Sequence, residues 1–60
     1  MTPTEAQVAN LVADGLTDKE IAAQLGMAPN TVRNHVRAVL TKAGVGNRTK
    51  FAVMYLAGTS

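Results

Sequence analysis

Threonine followed three residues later by glutamate occurs twice in the first twenty residues, at Thr2-Pro3-Thr4-Glu5 and at Thr17-Asp18-Lys19-Glu20. Each reads as a capping box, in which the threonine hydroxyl and the glutamate carboxylate satisfy N–H groups left free at a helix start. Pro3 adds to the first signal, because at the opening helical position its fixed φ fits and its missing N–H costs nothing. Gly15, Gly26 and Gly44 supply the stops, since glycine enters the left-handed conformation of a helix C-terminus without steric penalty. This punctuation cuts a chain of 60 residues into short segments. The second, of about eight residues, is too short to persist as an isolated helix, so packing must hold it. The chain is predicted to be all-α, a compact domain of four helices at about residues 3–14, 18–25, 29–43 and 48–57.

Hydropathy patterning gives each helix an inner side. Val8, Leu11 and Val12, with Ala9, form the stripe of the first helix, and Ile21, Ala22 and Leu25 that of the second. In the third, opened by Pro29, Val32, Val36, Val39, Leu40 and Ala43 fall at i, i+4, i+7, i+8 and i+11, one face of a 3.6-residue period. At about 100° per residue, Asn30, Asn34, Arg37 and Thr41 then point away from that stripe. Arg33 sits on one shoulder, and Thr31, His35 and Lys42 on the other. Asn47 is a good N-cap for the fourth helix. There "FAVMYLA", residues 51–57, is apolar or amphipathic all the way round. Ala52, Tyr55 and Leu56 are expected to face the core, which leaves Thr49, Val53, Met54 and Ala57 for a two-fold contact between subunits.

Composition narrows the function classes. There is no cysteine and one histidine, which excludes a disulfide framework and a Cys-type or His-rich metal site. His35 has no nucleophile or carboxylate patterned beside it, so no catalytic constellation, metal or cofactor is expected. No apolar run reaches the roughly 20 residues that span a bilayer, and the expectation is a soluble, cytoplasmic protein without a membrane partner. The net charge of +2 is unevenly spread: residues 1–20 carry Glu5, Asp14, Asp18 and Glu20 against Lys19 alone. Residues 21–60 carry Arg33, Arg37, Lys42, Arg48 and Lys50 and no acid. An acid-free stretch of this length suits an anionic partner, although a solvated basic face would look the same.

The set Ala22, Leu25, Gly26, Met27 and Val32 is more specific. A small Ala22 lets the second and third helices approach closely, Gly26 turns the chain, and Leu25, Met27 and Val32 wedge the helices at a steep angle, as in a helix-turn-helix. That arrangement would present the third helix to a DNA major groove, about 12 Å wide. Arginine grips guanine O6 and N7, and asparagine reads adenine, so Arg33, Asn34 and Arg37 are of the types that read base edges. Lys19, Arg48 and Lys50 all stand in first turns of helices, where the dipole disfavours cations. A phosphate would relieve that conflict, which makes them candidates for the DNA backbone. For Lys19 the flanking Asp18 and Glu20 offer an internal explanation, and for Arg48 a partner such as Glu5 does.

With these pieces in order, the sequence resembles the LuxR-type helix-turn-helix domain of bacterial response regulators and quorum-sensing activators. The resemblance rests on "TPTEAQV", "ADGLTDKEIAAQL", "TVRNHV" and "KAGVGNRT" and runs without gaps from Met1 to about Tyr55. It implies one DNA-binding domain over residues 1–60 and sequence-specific binding of double-stranded DNA by a transcription regulator. The third helix would lie in the major groove, and the fourth would pair subunits as a homodimer on DNA. RNA polymerase or a sensor domain elsewhere in a longer protein would be further partners. By position, Arg33, Asn34 and Arg37 would read bases, while Thr31, His35, Lys19 and Arg48, with Lys50, would meet the backbone.

The sequence departs from the pattern in places. Ala28-Pro29 replaces a serine-like cap and an acidic residue, Gly26 an often aromatic one, and Ala43 a common leucine. Phe51 adds bulk whose packing partner the sequence does not indicate. Two other readings use the same features. One is a protein-interaction module, an anti-activator or heterodimer partner working through the apolar fourth helix. The other is a promoter reader like the fourth region of a sigma factor, against which "VGNRTKFAVMYL" argues.

Overall fold

The computed structural model describes residues 1–59. Four helices follow one another: α1 (Pro3–Ala13), α2 (Asp18–Leu25), α3 (Pro29–Ala43) and α4 (Arg48–Thr59). Both capping boxes form. The Thr2 hydroxyl accepts from the Glu5 N–H at 3.1 Å while Glu5 Oε1 accepts from the Thr2 N–H at 2.9 Å. Thr17 and Glu20 repeat the exchange at 3.2 and 2.8 Å. The start of α3 has only Ala28 at its N-cap and no side-chain cap, as its sequence implies. Asn47 caps α4, its Oδ1 accepting from the Lys50 N–H at 2.8 Å.

The helix ends show which glycines act as stops. Gly26 takes φ +67° beyond α2, where the Met27 N–H returns to the Ala22 carbonyl at 3.0 Å. The expected end of α1 moves back by one residue, because Asp14 serves as the C-cap ahead of Gly15. The expected end of α4 moves outward instead. Gly58 is not among the positive-φ glycines and α4 runs through it to Thr59. A glycine inside a helix costs only about 0.5–1 kcal/mol, too little to end it alone.

The core consists of Val8, Ala9 and Val12 from α1, Ile21 and Ala22 from α2, Val32, Val36 and Val39 from α3, and Phe51 from α4. Leu11, Leu25, Leu40 and Ala43 are partly buried around it. α1 packs against all three other helices and α3 likewise, whereas among the described residues α2 and α4 do not pack against each other. The expected inner side of α4 needs correction. Phe51 faces the core at 1% exposure, Ala52 and Tyr55 are half-buried, and Leu56 is 51% exposed. Five residues beyond Phe51, Leu56 has rotated roughly 140° about the helix and cannot share its direction. Phe51 and Tyr55, one turn apart, stack with ring centroids 5.3 Å apart.

Candidate nucleic-acid interface

The geometry of α3 begins with its valines. Val32 and Val39 are fully buried and Val36 nearly so, which fixes the rotation of the helix about its axis. Asn30, Thr31, Arg33, Asn34, Arg37 and Thr41 are exposed as a result, and His35, on the shoulder, is half-buried. Fifteen residues at 1.5 Å each make α3 about 22 Å long, and an isolated helix fits a groove of major-groove width. Among the described residues, the side chains of Arg33, Asn34 and Arg37 have no hydrogen-bond or ion-pair partner. Their donors therefore face water, arranged on a helix that cannot roll.

The cations divide into two groups. Lys42 Nζ lies 2.7 Å from Glu5 Oε1 and joins the end of α3 to the start of α1. The Arg48 guanidinium donates to the Asp18 carboxylate through Nη1 and to the Leu16 carbonyl through Nη2, the latter at 2.6 Å. Glu5, considered above as a partner for Arg48, is thus engaged elsewhere. Among the described residues, Lys19, Arg33, Arg37 and Lys50 have no ion-pair partner. Lys19 and Lys50 are exposed in the first turns of α2 and α4. The acids are largely occupied: Glu5 and Asp18 in these pairs, Glu20 in its capping box.

Glu5 is 9% exposed at its side chain. The Lys42 hydrogen bond, joined by that from the Thr2 N–H, holds its carboxyl at about 2, well below the usual 4.5. The Thr17 N–H likewise lowers Glu20. Sequence reasoning missed the Glu5–Lys42 tie, although a signal was present. Glu5 lies at i−3, i−4 and i−7 from Val8, Ala9 and Val12, so the stripe carries an acid into the core edge, where it needs a cation. The bond from the Tyr55 hydroxyl to Asn10 Oδ1, 2.5 Å across α1 and α4, had no such signal.

Among the described residues, no cluster of His, Asp and Glu could hold a metal ion, and no helix is long and apolar enough to cross a membrane. A cleft of about 220 Å³ lies between the end of α1 and the start of α4, lined by Val12, Leu16, Arg48 and Ala52 among others. It lies away from the polar face of α3.

The sequence matches the family described as "Bacterial regulatory proteins, luxR family" over residues 1–55. The chain belongs to the luxR family. The matched segment takes in all of α1, α2 and α3 and α4 as far as Tyr55, so the fourth helix belongs to the shared pattern. Among similar curated proteins, "Transcriptional regulatory protein UhpA" of Salmonella typhimurium is 46% identical over 52 residues, 87% of this chain and 26% of that protein. "DNA-binding transcriptional activator DevR/DosR" of Mycobacterium tuberculosis is 40% identical over 53 residues, 88% of this chain and 24% of that protein. A "Putative HTH-type transcriptional regulator" of Mycobacterium bovis is 42% identical over 50 residues, 83% of this chain but 6% of that protein. This luxR-family chain therefore spans about a quarter or less of the length of these relatives. They are transcription regulators, and the family is one of regulators rather than of enzymes. No solved structure matches significantly.

Proposed function

We propose that this domain binds double-stranded DNA sequence-specifically as the DNA-reading part of a bacterial transcription regulator. The observation that carries this reading is the α3 face. Arg33, Asn34 and Arg37 stand exposed and unpartnered above valines that are themselves buried. Arg33 and Arg37 suit guanine, Asn34 suits adenine, and a fixed helix rotation lets each keep its register along the groove. Lys19, Thr31, His35 and Lys50 would engage the phosphate backbone, which sets position and affinity rather than sequence. Val53, Met54, Thr49 and Ala57, exposed on α4, would form a homodimer contact, which places two reading helices on half-sites about one helical turn apart. RNA polymerase or a sensor domain would be approached from surfaces left open by both contacts, in the cytoplasm.

Fluorescence anisotropy tests this with a duplex selected by the domain from a random-sequence pool, compared with a scrambled duplex of the same composition. Tighter binding to the selected duplex is expected. Equal affinity, or no binding at low salt, would refute the reading. The exposed Val53 at 66% and Leu56 at 51% favour a second reading, a protein-interaction module built on α4. An NMR titration separates the two, since DNA binding shifts α3 amides, and the interaction module shifts α4 amides only when a protein partner is added.

A further inference from the structure

We propose that Arg48 is a positioning residue for DNA binding, acting through Asp18 and the Leu16 carbonyl rather than through a phosphate. The proposal rests on the DNA-binding reading above and concerns how the reading helices are held against α4. Arg48 is the first residue of α4, and Asp18 the first of α2. Among the described residues the two helices make no packing contact with each other, yet the Arg48 side chain spans them. One guanidinium nitrogen donates to the Asp18 carboxylate, and the other to the Leu16 carbonyl at 2.6 Å. The two acceptors lie on either side of Thr17, the N-cap of α2.

This fork has a geometric consequence. Arginine's planar guanidinium holds two acceptors in a fixed relation, so the turn at residues 16–18 is tied to the first turn of α4 in position and orientation. Lys19, next in sequence and exposed, inherits that placement. The side chains of Arg48 and Asp18 are 34% and 26% exposed, so the pair is partly shielded from water. An arginine so engaged is a poor donor to DNA, because a phosphate would have to displace both a carboxylate and a carbonyl. Lys19 and Lys50 have no such commitments among the described residues and keep the backbone role.

Arg48→Lys, Arg48→Gln, Asp18→Asn and the double variant Asp18→Asn/Arg48→Gln of the 60-residue chain test this on the selected duplex at several salt concentrations. Lysine keeps the charge but cannot make the planar fork. Positioning predicts that the three single variants lose affinity by about three- to tenfold, that adding Asp18→Asn to Arg48→Gln costs little more, and that the salt slope is unchanged. A phosphate contact predicts the opposite pattern: Arg48→Lys keeps its affinity, Arg48→Gln flattens the slope by about 0.9, and Asp18→Asn binds DNA more tightly by removing a negative charge. Any of these three results would overturn the proposal.

A DNA-free arm keeps the tie separate from the DNA reading. In NMR spectra of the free domain, Asp18→Asn should shift the Arg48 side-chain signals and the amides of Leu16 and Thr17. Unmoved signals would overturn the proposal whatever the DNA result. If the wild-type domain shows no preference for its selected duplex while these signals do move, the DNA reading fails and the Arg48 tie survives as a feature of the fold alone.

Discussion

Replacing Phe51 with alanine would test whether the scaffold and the reading face are separable. Among the described residues, Phe51 is the largest fully buried side chain and the only residue of α4 in the central cluster. Burying a phenylalanine contributes about 1.5–3 kcal/mol by transfer from water. Its offset stack with Tyr55 adds about 0.5–1.5 kcal/mol. Truncation also leaves a hole that valine neighbours fill only in part, which brings the whole cost to about 3–5 kcal/mol. A domain of this length is stable by about 3–9 kcal/mol, at about 0.05–0.15 kcal/mol per residue. Phe51→Ala should therefore remove a third or more of the stability and leave much of the protein unfolded at 37 °C. Phe51→Leu, nearer in volume, should cost about 1 kcal/mol and lower Tm by about 4–8 °C. Thermal and urea melts followed by far-UV circular dichroism measure both. At 10 °C, where Phe51→Leu is folded, its preference for the selected duplex should equal the wild type's. A Phe51→Ala domain within about 0.5 kcal/mol of wild type, the range of ordinary surface substitutions, would refute the core assignment. A Phe51→Leu domain that is stable but has lost its base preference would refute the separation of scaffold from reading face.

Other perturbations probe single features. Arg37→Ala should weaken binding by about 1–3 kcal/mol and relax base preference, whereas Lys19→Ala should weaken all duplexes alike and flatten the salt slope by about one; matching profiles for the two variants would contradict the division of roles. Gly26→Ala should cost about 1–2 kcal/mol by forcing a side chain into φ +67°, since nothing lies within 4 Å of the added carbon, and Gly26→Asn should cost less; a neutral alanine variant would show that the turn relaxes. Because the folded carboxyl of Glu5 titrates near 2 against 4.5 in the open chain, its contribution is intact above about pH 4.5 and is lost as pH falls towards 2. Urea midpoints measured from pH 6 to pH 2 should fall more steeply in the wild type than in Glu5→Gln, with Glu20 supplying part of the remaining slope, and parallel curves would count against the Lys42 pairing.

What was legible in the sequence was local. A capping box closes within four residues and a glycine stop within two, so both can be read from neighbours along the chain. The α3 stripe was legible for a related reason: Val32, Val36 and Val39 repeat at the helical period among polar residues, and that contrast defines a face. α4 offered no contrast. Seven apolar or amphipathic residues in succession are compatible with any rotation, and the rotation is decided by Phe51 entering a space made by α1 and α3. The long-range ties were hidden for a different reason. Glu5 and Lys42 are 37 residues apart and Arg48 and Asp18 are 30 apart, and several acids were formally available to each cation. Choosing among them takes the placement of helices, which charge counting does not supply. At the candidate interface, the residue types and the outward face of α3 were legible. The distinction between free and engaged cations came only with the fold.

The packing of α1 against α4 also orders events in time. A ribosome releases α1 first and α4 last, so the helix that begins the domain waits for nearly the whole chain before Phe51 and Tyr55 arrive to cover it. Until then α3 has emerged with its valines only partly sheltered. The core that supports the polar face of α3 is thus completed only after Phe51 has left the tunnel, although α1 and α2 already give α3 most of its packing before the fourth helix emerges.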